Sequence, residues 1–148
     1  VADITETGWR QMMDVNVSGT LWCAQAALPH LIENRGNIIN IASNAGLMGQ
    51  AYTVAYSAAK GAVVNMTRAL AMEYAKQPVR INAVAPSLAM HPFLHKVTSP
   101  ELLAELESKE AFGRAASPDE IANVIVFLAS NLSSYMTGEV ISVSNQHP

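Results

Sequence analysis

From Trp9 to about Glu33 the apolar residues recur at helical spacing. Trp9, Met12, Met13, Asn16, Val17 and Thr20 keep the period, and Leu21, Ala24, Leu28, Leu31 and Ile32 continue it. Asp3, Thr5 and Thr7 ahead of the run offer caps. Pro29 is expected to bend this helix near its end, and Asn34-Arg35-Gly36 stops it. The pattern then changes. Gly36-Asn-Ile-Ile-Asn-Ile-Ala-Ser43 is short, Ile-rich and opened by Gly, which predicts a buried strand with Ser43 at its C-terminal end. Ala55 to Lys76 is rich in Ala, Met and Leu and reads as a second long helix, ending before Pro78. Val79 to Ala85 is a second strand. Pro86 to Phe112 is the least regular part, with Leu88, Met90, Phe93, Leu94, Leu102, Leu103, Leu106 and Phe112 expected mostly to cover the sheet. Ser117-Pro118-Asp119-Glu120 opens a helix, with Ser as cap, Pro in the first turn and Glu three after the cap. That helix, to about Asn131, is apolar nearly all round and is expected to be buried on more than one side. Glu139 to Ser144 is the last strand.

The chemistry gathers between Ser43 and Lys60. Tyr56 and Lys60 are an i,i+4 pair and share one helix face. A hydroxyl at a strand end, a phenol and an ammonium can therefore converge at the C-terminal edge of a sheet, where open α/β sheets bind ligands. A phenol titrates near pH ~10, and a cation beside it favours the phenolate. A fall of about three units corresponds to roughly 4 kcal/mol and would make Tyr56 a usable acid or base. Ser43 can donate to a substrate oxygen on which negative charge develops. Carbonyl reduction or alcohol oxidation needs this set, with hydride from a nicotinamide. Neither Tyr52, Tyr74 nor Tyr135 has a Lys four residues on, and Tyr52 is expected to wall the substrate pocket or fill the core.

Composition narrows the class. The chain has 148 residues, 50% of them hydrophobic and 14% charged, which describes a globular domain. A net charge of −3 without a Lys/Arg cluster argues against a nucleic-acid surface. Cys23 is the only cysteine, so no internal disulfide framework exists, and a reducing cytoplasm is expected. Its neighbours Leu21, Trp22, Ala24 and Ala26 predict that it is buried. No apolar run approaches the ~20 residues of a membrane span. The start carries no basic leader and no Met, so the chain is expected to begin mid-protein. No metal is expected.

Ser43 followed by Tyr56 with Ala58-Ala59-Lys60 behind it resembles the catalytic signature of the short-chain dehydrogenases/reductases. The resemblance runs over the whole chain, through Asp14-Val15-Asn16-Val17, Arg80-Ile81-Asn82-Ala83-Val84-Ala85-Pro86, Ser117 to Ala122 and Tyr135 to Val140. It implies a doubly wound, Rossmann-like parallel sheet, with residues 1–148 as a single, partial catalytic domain. It implies Asn16, Ser43, Tyr56 and Lys60 as the catalytic set, Asn16 holding through its carbonyl a water that relays protons to Lys60. The plainer reading of Asn16 is a satisfied structural polar group. NAD or NADP would be bound by Tyr56, Lys60, Pro86, Ser87, Ala89 and His91, the backbone of Ala89 meeting the carboxamide. Two of these depart from the family pattern. Ser87 replaces a Gly that tolerates close backbone approach, and His91 stands where a Thr touches cofactor phosphate.

The family uses the segment equivalent to 88–112 as a mobile lid and pairs subunits through the helices equivalent to 9–33 and 55–76, giving a homodimer or homotetramer. The substrate is then a small hydrophobic carbonyl or alcohol. The Pro86-to-His91 loop and the Gln-His-Pro ending are similar to reductases of fatty-acyl or steroid-derived acid catabolism. No Gly-rich turn of the G-x-x-x-G-x-G kind is present, and roughly one hundred residues of the first βαβαβ half are absent. The sequence therefore reads as the C-terminal portion of such an enzyme, a truncated homologue, or an incomplete chain. The choice between NAD and NADP is made in that half. The alternative is a catalytically dead remnant that survives as an oligomerisation module.

Overall fold

The structure, a computed structural model, describes residues 1–91, 94, 96 and 98–145. Phe93 and the Gln146-His147-Pro148 ending lie outside the described residues. Thr5 caps the first helix by accepting from the Gly8 N–H at 3.1 Å, and α1 runs Glu6–Met13. Asp14–Ser18 then winds as a π-helical stretch, after which α2 (Gly19–Glu33) continues through Pro29. One long helix is thus in fact three segments. A π turn inside a helix is rare and recurs at functional sites, and this one carries Asn16.

Strands β1 (Asn37–Ile41), β2 (Arg80–Pro86) and β3 (Val140–Val143) form a three-stranded parallel sheet in the order β1-β2-β3. Ile41 pairs with Val84, and Pro86 with Val143. After β1 comes the one-turn helix α3 (Asn44–Leu47), then α4 (Val54–Glu73). Between β2 and β3 lie α5 (Pro100–Lys109) and α6 (Pro118–Ala129), α6 opened by the expected capping box on Ser117 and Glu120.

Period-two alternation on β2 settles which layer lies where. Ala83 and Ala85 pack with Ala42, Val63 and Val64, while Ile81 packs with Leu28, Ala71 and Val79. Those residues of β2 therefore face α2 and α4. Burying a Val or Ile side chain of this kind contributes about 1.5–3 kcal/mol. Asn82 and Val84 point the other way and are equally sealed. α6 covers that face with Leu128, and the turn into β3 is pinned by Asn82, which donates to Met136 O at 2.9 Å and accepts from Glu139 N at 3.0 Å. Arg80 adds a clamp, donating to Leu128 O, Ser130 O and Ser133 Oγ at the end of α6. On the opposite face Asn40 and Thr67 satisfy each other at 2.9 Å inside the core.

Four expectations fail. α6 is buried along one side only, through Ile121 and Leu128, and Val126 and Phe127 are exposed. A sheet of three strands presents α6 with a single surface to cover. Cys23 is exposed, because α2 turns the Ala24–Leu28 stripe inward and Cys23 sits beside that stripe. Tyr52 is neither core nor pocket wall; it is fully exposed, with φ at 66°. Leu102 and Phe112 are also exposed rather than spread over the sheet. Among the described residues β1 pairs only with β2, and a groove of about 630 Å³ runs along its other edge, lined by Asn16, Thr20 and Cys23. No described helix is long and apolar enough to cross a membrane.

Candidate active site

The ladder of β1 ends where Ala42 donates to Val84 O at 2.8 Å. Ser43 follows in extended conformation and caps α3, its Oγ accepting from Ala45 N at 3.2 Å. That contact uses an oxygen lone pair and leaves the hydroxyl hydrogen for an acceptor in the cleft. α3 then lies directly on α4. A Cβ at Gly46 would stand 2.5 Å from the Lys60 carbonyl carbon and 2.7 Å from its oxygen. Only glycine allows this approach, and it sets Ser43 against the turn of α4 that carries Lys60.

Tyr56 and Lys60 occupy successive turns of α4. The Lys60 Nζ lies 5.8 Å from the centroid of the Tyr56 ring and donates to Ile41 O at 2.9 Å. The lysine thereby ties the helix to the end of β1. Its half-buried position pushes its pKa below the ordinary lysine value, because burial strips water from the ammonium.

A cleft of about 680 Å³ opens at the C-terminal ends of β1 and β2. Ser43, Tyr56 and Lys60 line one part of it, and Pro86, Ser87, Ala89 and His91 another. The structure therefore brings together every singled-out residue but one. Asn16 lies in the groove beside β1, and Lys60 borders both spaces. The Asn16 side chain donates to Met12 O at 3.1 Å, and the Asn16 backbone carbonyl accepts from the Thr20 hydroxyl at 2.8 Å.

The 86–91 loop is held by its backbone. Ala89 forms an isolated parallel bridge with Ala116, made by Ala116 N to Leu88 O at 2.9 Å and Met90 N to Ala116 O at 2.8 Å. In a parallel bridge the flanking residues supply the bonds, so the N–H and C=O of Ala89 point the other way. A donor and an acceptor side by side match a primary carboxamide. His91 is exposed, and its Nδ1 accepts from Leu94 N at 3.1 Å.

Three residues in or under the cleft escaped sequence reasoning. Gly46 carries no signal beyond being a glycine near Ser43. Asn44 accepts from Ser142 of β3 at 3.1 Å. Glu110 is buried in the cleft wall and accepts from the Ser87 hydroxyl at 3.2 Å. Glu105 and Glu107 lie in the same stretch, so nothing in the sequence singled Glu110 out.

Residues 1–145 match the family described as enoyl-(acyl carrier protein) reductase. The chain is 49% identical over 150 residues to the (5R,7aS)-5-hydroxy-7a-methyl-1-oxo-2,3,5,6,7,7a-hexahydro-1H-indene-carboxyl-CoA reductase of Mycobacterium tuberculosis, covering 100% of this chain and 57% of that protein. It is 42% identical over 135 residues to meso-2,3-butanediol dehydrogenase of Serratia marcescens, covering 91% of this chain and 53% of that protein. Among solved structures, ElxO with NADP bound superimposes with a TM-score of 0.90 at 32% identity, covering 97% of this chain and 59% of that one. The chain thus spans a little over half the length of the relatives it matches.

Proposed function

The chain belongs to the short-chain dehydrogenase/reductase family, and from that premise we propose that it is the catalytic portion of an NAD(P)-dependent oxidoreductase interconverting a secondary alcohol and a ketone. The observation that carries this reading is the single cleft in which Ser43, Tyr56 and Lys60 meet the 86–91 loop. As one partial domain, residues 1–148 supply the reacting groups.

The nicotinamide supplies or accepts the hydride when bound. Pro86, Ser87, Ala89 and His91 would hold it, with Ala89 offering its backbone pair to the carboxamide. The Ser43 hydroxyl donates to the substrate carbonyl oxygen and stabilises the charge that develops there. Tyr56 gives its phenolic proton to that oxygen. The Lys60 ammonium beside the ring stabilises the phenolate left behind, and the Ile41 carbonyl fixes the lysine in place. Asn16 acts from the adjoining groove, on the Lys60 side, as the place where protons return from solvent.

Met48, Leu88, Leu94 and Leu106 make the rest of the cleft apolar, which suits a hydrophobic carbonyl or alcohol. The names of the relatives above support an acyl-CoA or small hydroxy-ketone substrate. Subunits pair through the faces of α2 and α4, where Trp22 and Met72 are exposed. Its lone cysteine is in keeping with a reducing, cytoplasmic setting. The reading is tested with 4-deuterated NADPH and NADH and acetoacetyl-CoA, on the chain extended upstream to the length of its relatives. A hydroxyacyl product one mass unit heavier is expected. No label transfer to this or any ketone in a panel would leave the association role alone.

A further inference from the structure

Glu110 is a carboxylate only 9% exposed, at the C-terminal cap of α5. Burying a carboxylate is costly unless it is well paired. Its partner is the hydroxyl of Ser87, 3.2 Å away, the first residue beyond β2. Ser87 stands where the family pattern has a glycine, so the hydroxyl is an addition that glycine could not provide. Three elements meet at this point. Ser87 N donates to Val143 O of β3 at 3.1 Å, and Ala111 N, beside Glu110, donates to Asn145 Oδ1 at 3.1 Å. Glu107, one turn earlier, accepts from Ala115 N at 3.2 Å, just before the Ala116 bridge. α5 also places Leu106 in the cleft. Movement of α5 away from the cleft therefore has to stretch the Ser87–Glu110 bond.

We infer that Ser87 and Glu110 form a positioning latch that holds the Leu88–Met90 backbone in the shape that receives the nicotinamide and ties that shape to the seating of α5. The inference rests on the oxidoreductase reading above. Neither residue moves a proton in the reaction; both act through the backbone of Ala89.

The amides of Met90 and Ala116 report the loop directly, since they make its bridge. Hydrogen exchange of the 148-residue protein is compared among Ser87→Ala, Glu110→Ala, Glu110→Gln and the double alanine variant. Each single alanine variant should speed exchange at Met90 and Ala116 about tenfold, while Ala83 in β2 is unmoved. The double variant should go no further, because both changes remove one bond. Glu110→Gln keeps an acceptor and should stay within about threefold of the wild type. In the chain extended upstream, NADPH should bind about tenfold more weakly to each alanine variant, with Glu110→Gln rescuing. Unchanged exchange at Met90 and Ala116 in Ser87→Ala, or additive effects in the double variant, overturns the latch. Should Glu110→Ala fail to fold, Ser87→Ala and Glu110→Gln still decide between a latch and none. Absence of NADPH and NADH binding by the extended wild type refutes the oxidoreductase reading instead, and the exchange result still decides the latch.

Discussion

Gly46→Ala tests how closely the site depends on the packing of α3 against α4. The added methyl would lie 2.5 Å from the Lys60 carbonyl carbon and 2.8 Å from Gly61 N, all backbone atoms that no side-chain rotation can clear. Restoring ordinary contact at 3.4 Å requires a shift of about 0.9 Å between the two helices. Overpacking of this kind costs about 1–3 kcal/mol. For a chain of this length each kcal/mol lowers Tm by about 2–4 °C. Ser43 caps α3 and moves with it, whereas Tyr56 and Lys60 stay on α4. A misplacement near 1 Å costs on the order of 10²-fold in rate. Gly49→Ala is the control, since nothing lies within 4 Å of the Cβ it would add. Thermal unfolding by circular dichroism reads the first effect, and turnover of the upstream-extended chain reads the second. Equal Tm values for the two variants would refute the packing argument.

Thr67→Val leaves Asn40 Nδ2 without its buried partner and should cost about 1–3 kcal/mol in urea unfolding. Lys60→Met tests the burial of the ammonium. With its folded pKa below the unfolded value, Lys60 charged in the fold opposes stability at neutral pH, and that cost fades as pH rises from the folded toward the unfolded pKa. The stability of wild type relative to Lys60→Met should therefore rise with pH in denaturant titrations; a relative stability that falls with rising pH contradicts the assignment. Pairing through α2 and α4 predicts a mass above one protomer in sedimentation at micromolar concentration, lowered by Trp22→Glu.

Much of this was legible because it depends on local pattern. The Ile-rich run before Ser43, the capping box at Ser117 and Glu120, and the i,i+4 pair Tyr56–Lys60 each signal through spacing. The strands fell within one or two residues of the expected limits, β1 ending at Ile41 just short of Ser43, and the Tyr56 helix ended three residues early, at Glu73. What was hidden depends on contacts distant in sequence. Cys23 and Trp22 sit in an apolar run, yet helix rotation decides which of its members meets the sheet. The π turn at Asn16 has no compositional mark. Ser87 looked like a defect in a glycine position until Glu110, 23 residues on, supplied its partner. Gly46 is informative only once α4 is seen beneath it.

Tyr56 is proposed as the proton donor and Lys60 as its electrostatic support. This central assignment is tested most directly by NADPH-dependent reduction of acetoacetyl-CoA with Tyr56→Phe in the upstream-extended chain, beside wild type. The phenyl ring keeps the packing on α4 and removes only the hydroxyl. Turnover should fall by at least ~10²–10⁴-fold while Tm and the NADPH dissociation constant stay near wild type. Turnover close to wild type in that variant would contradict the account.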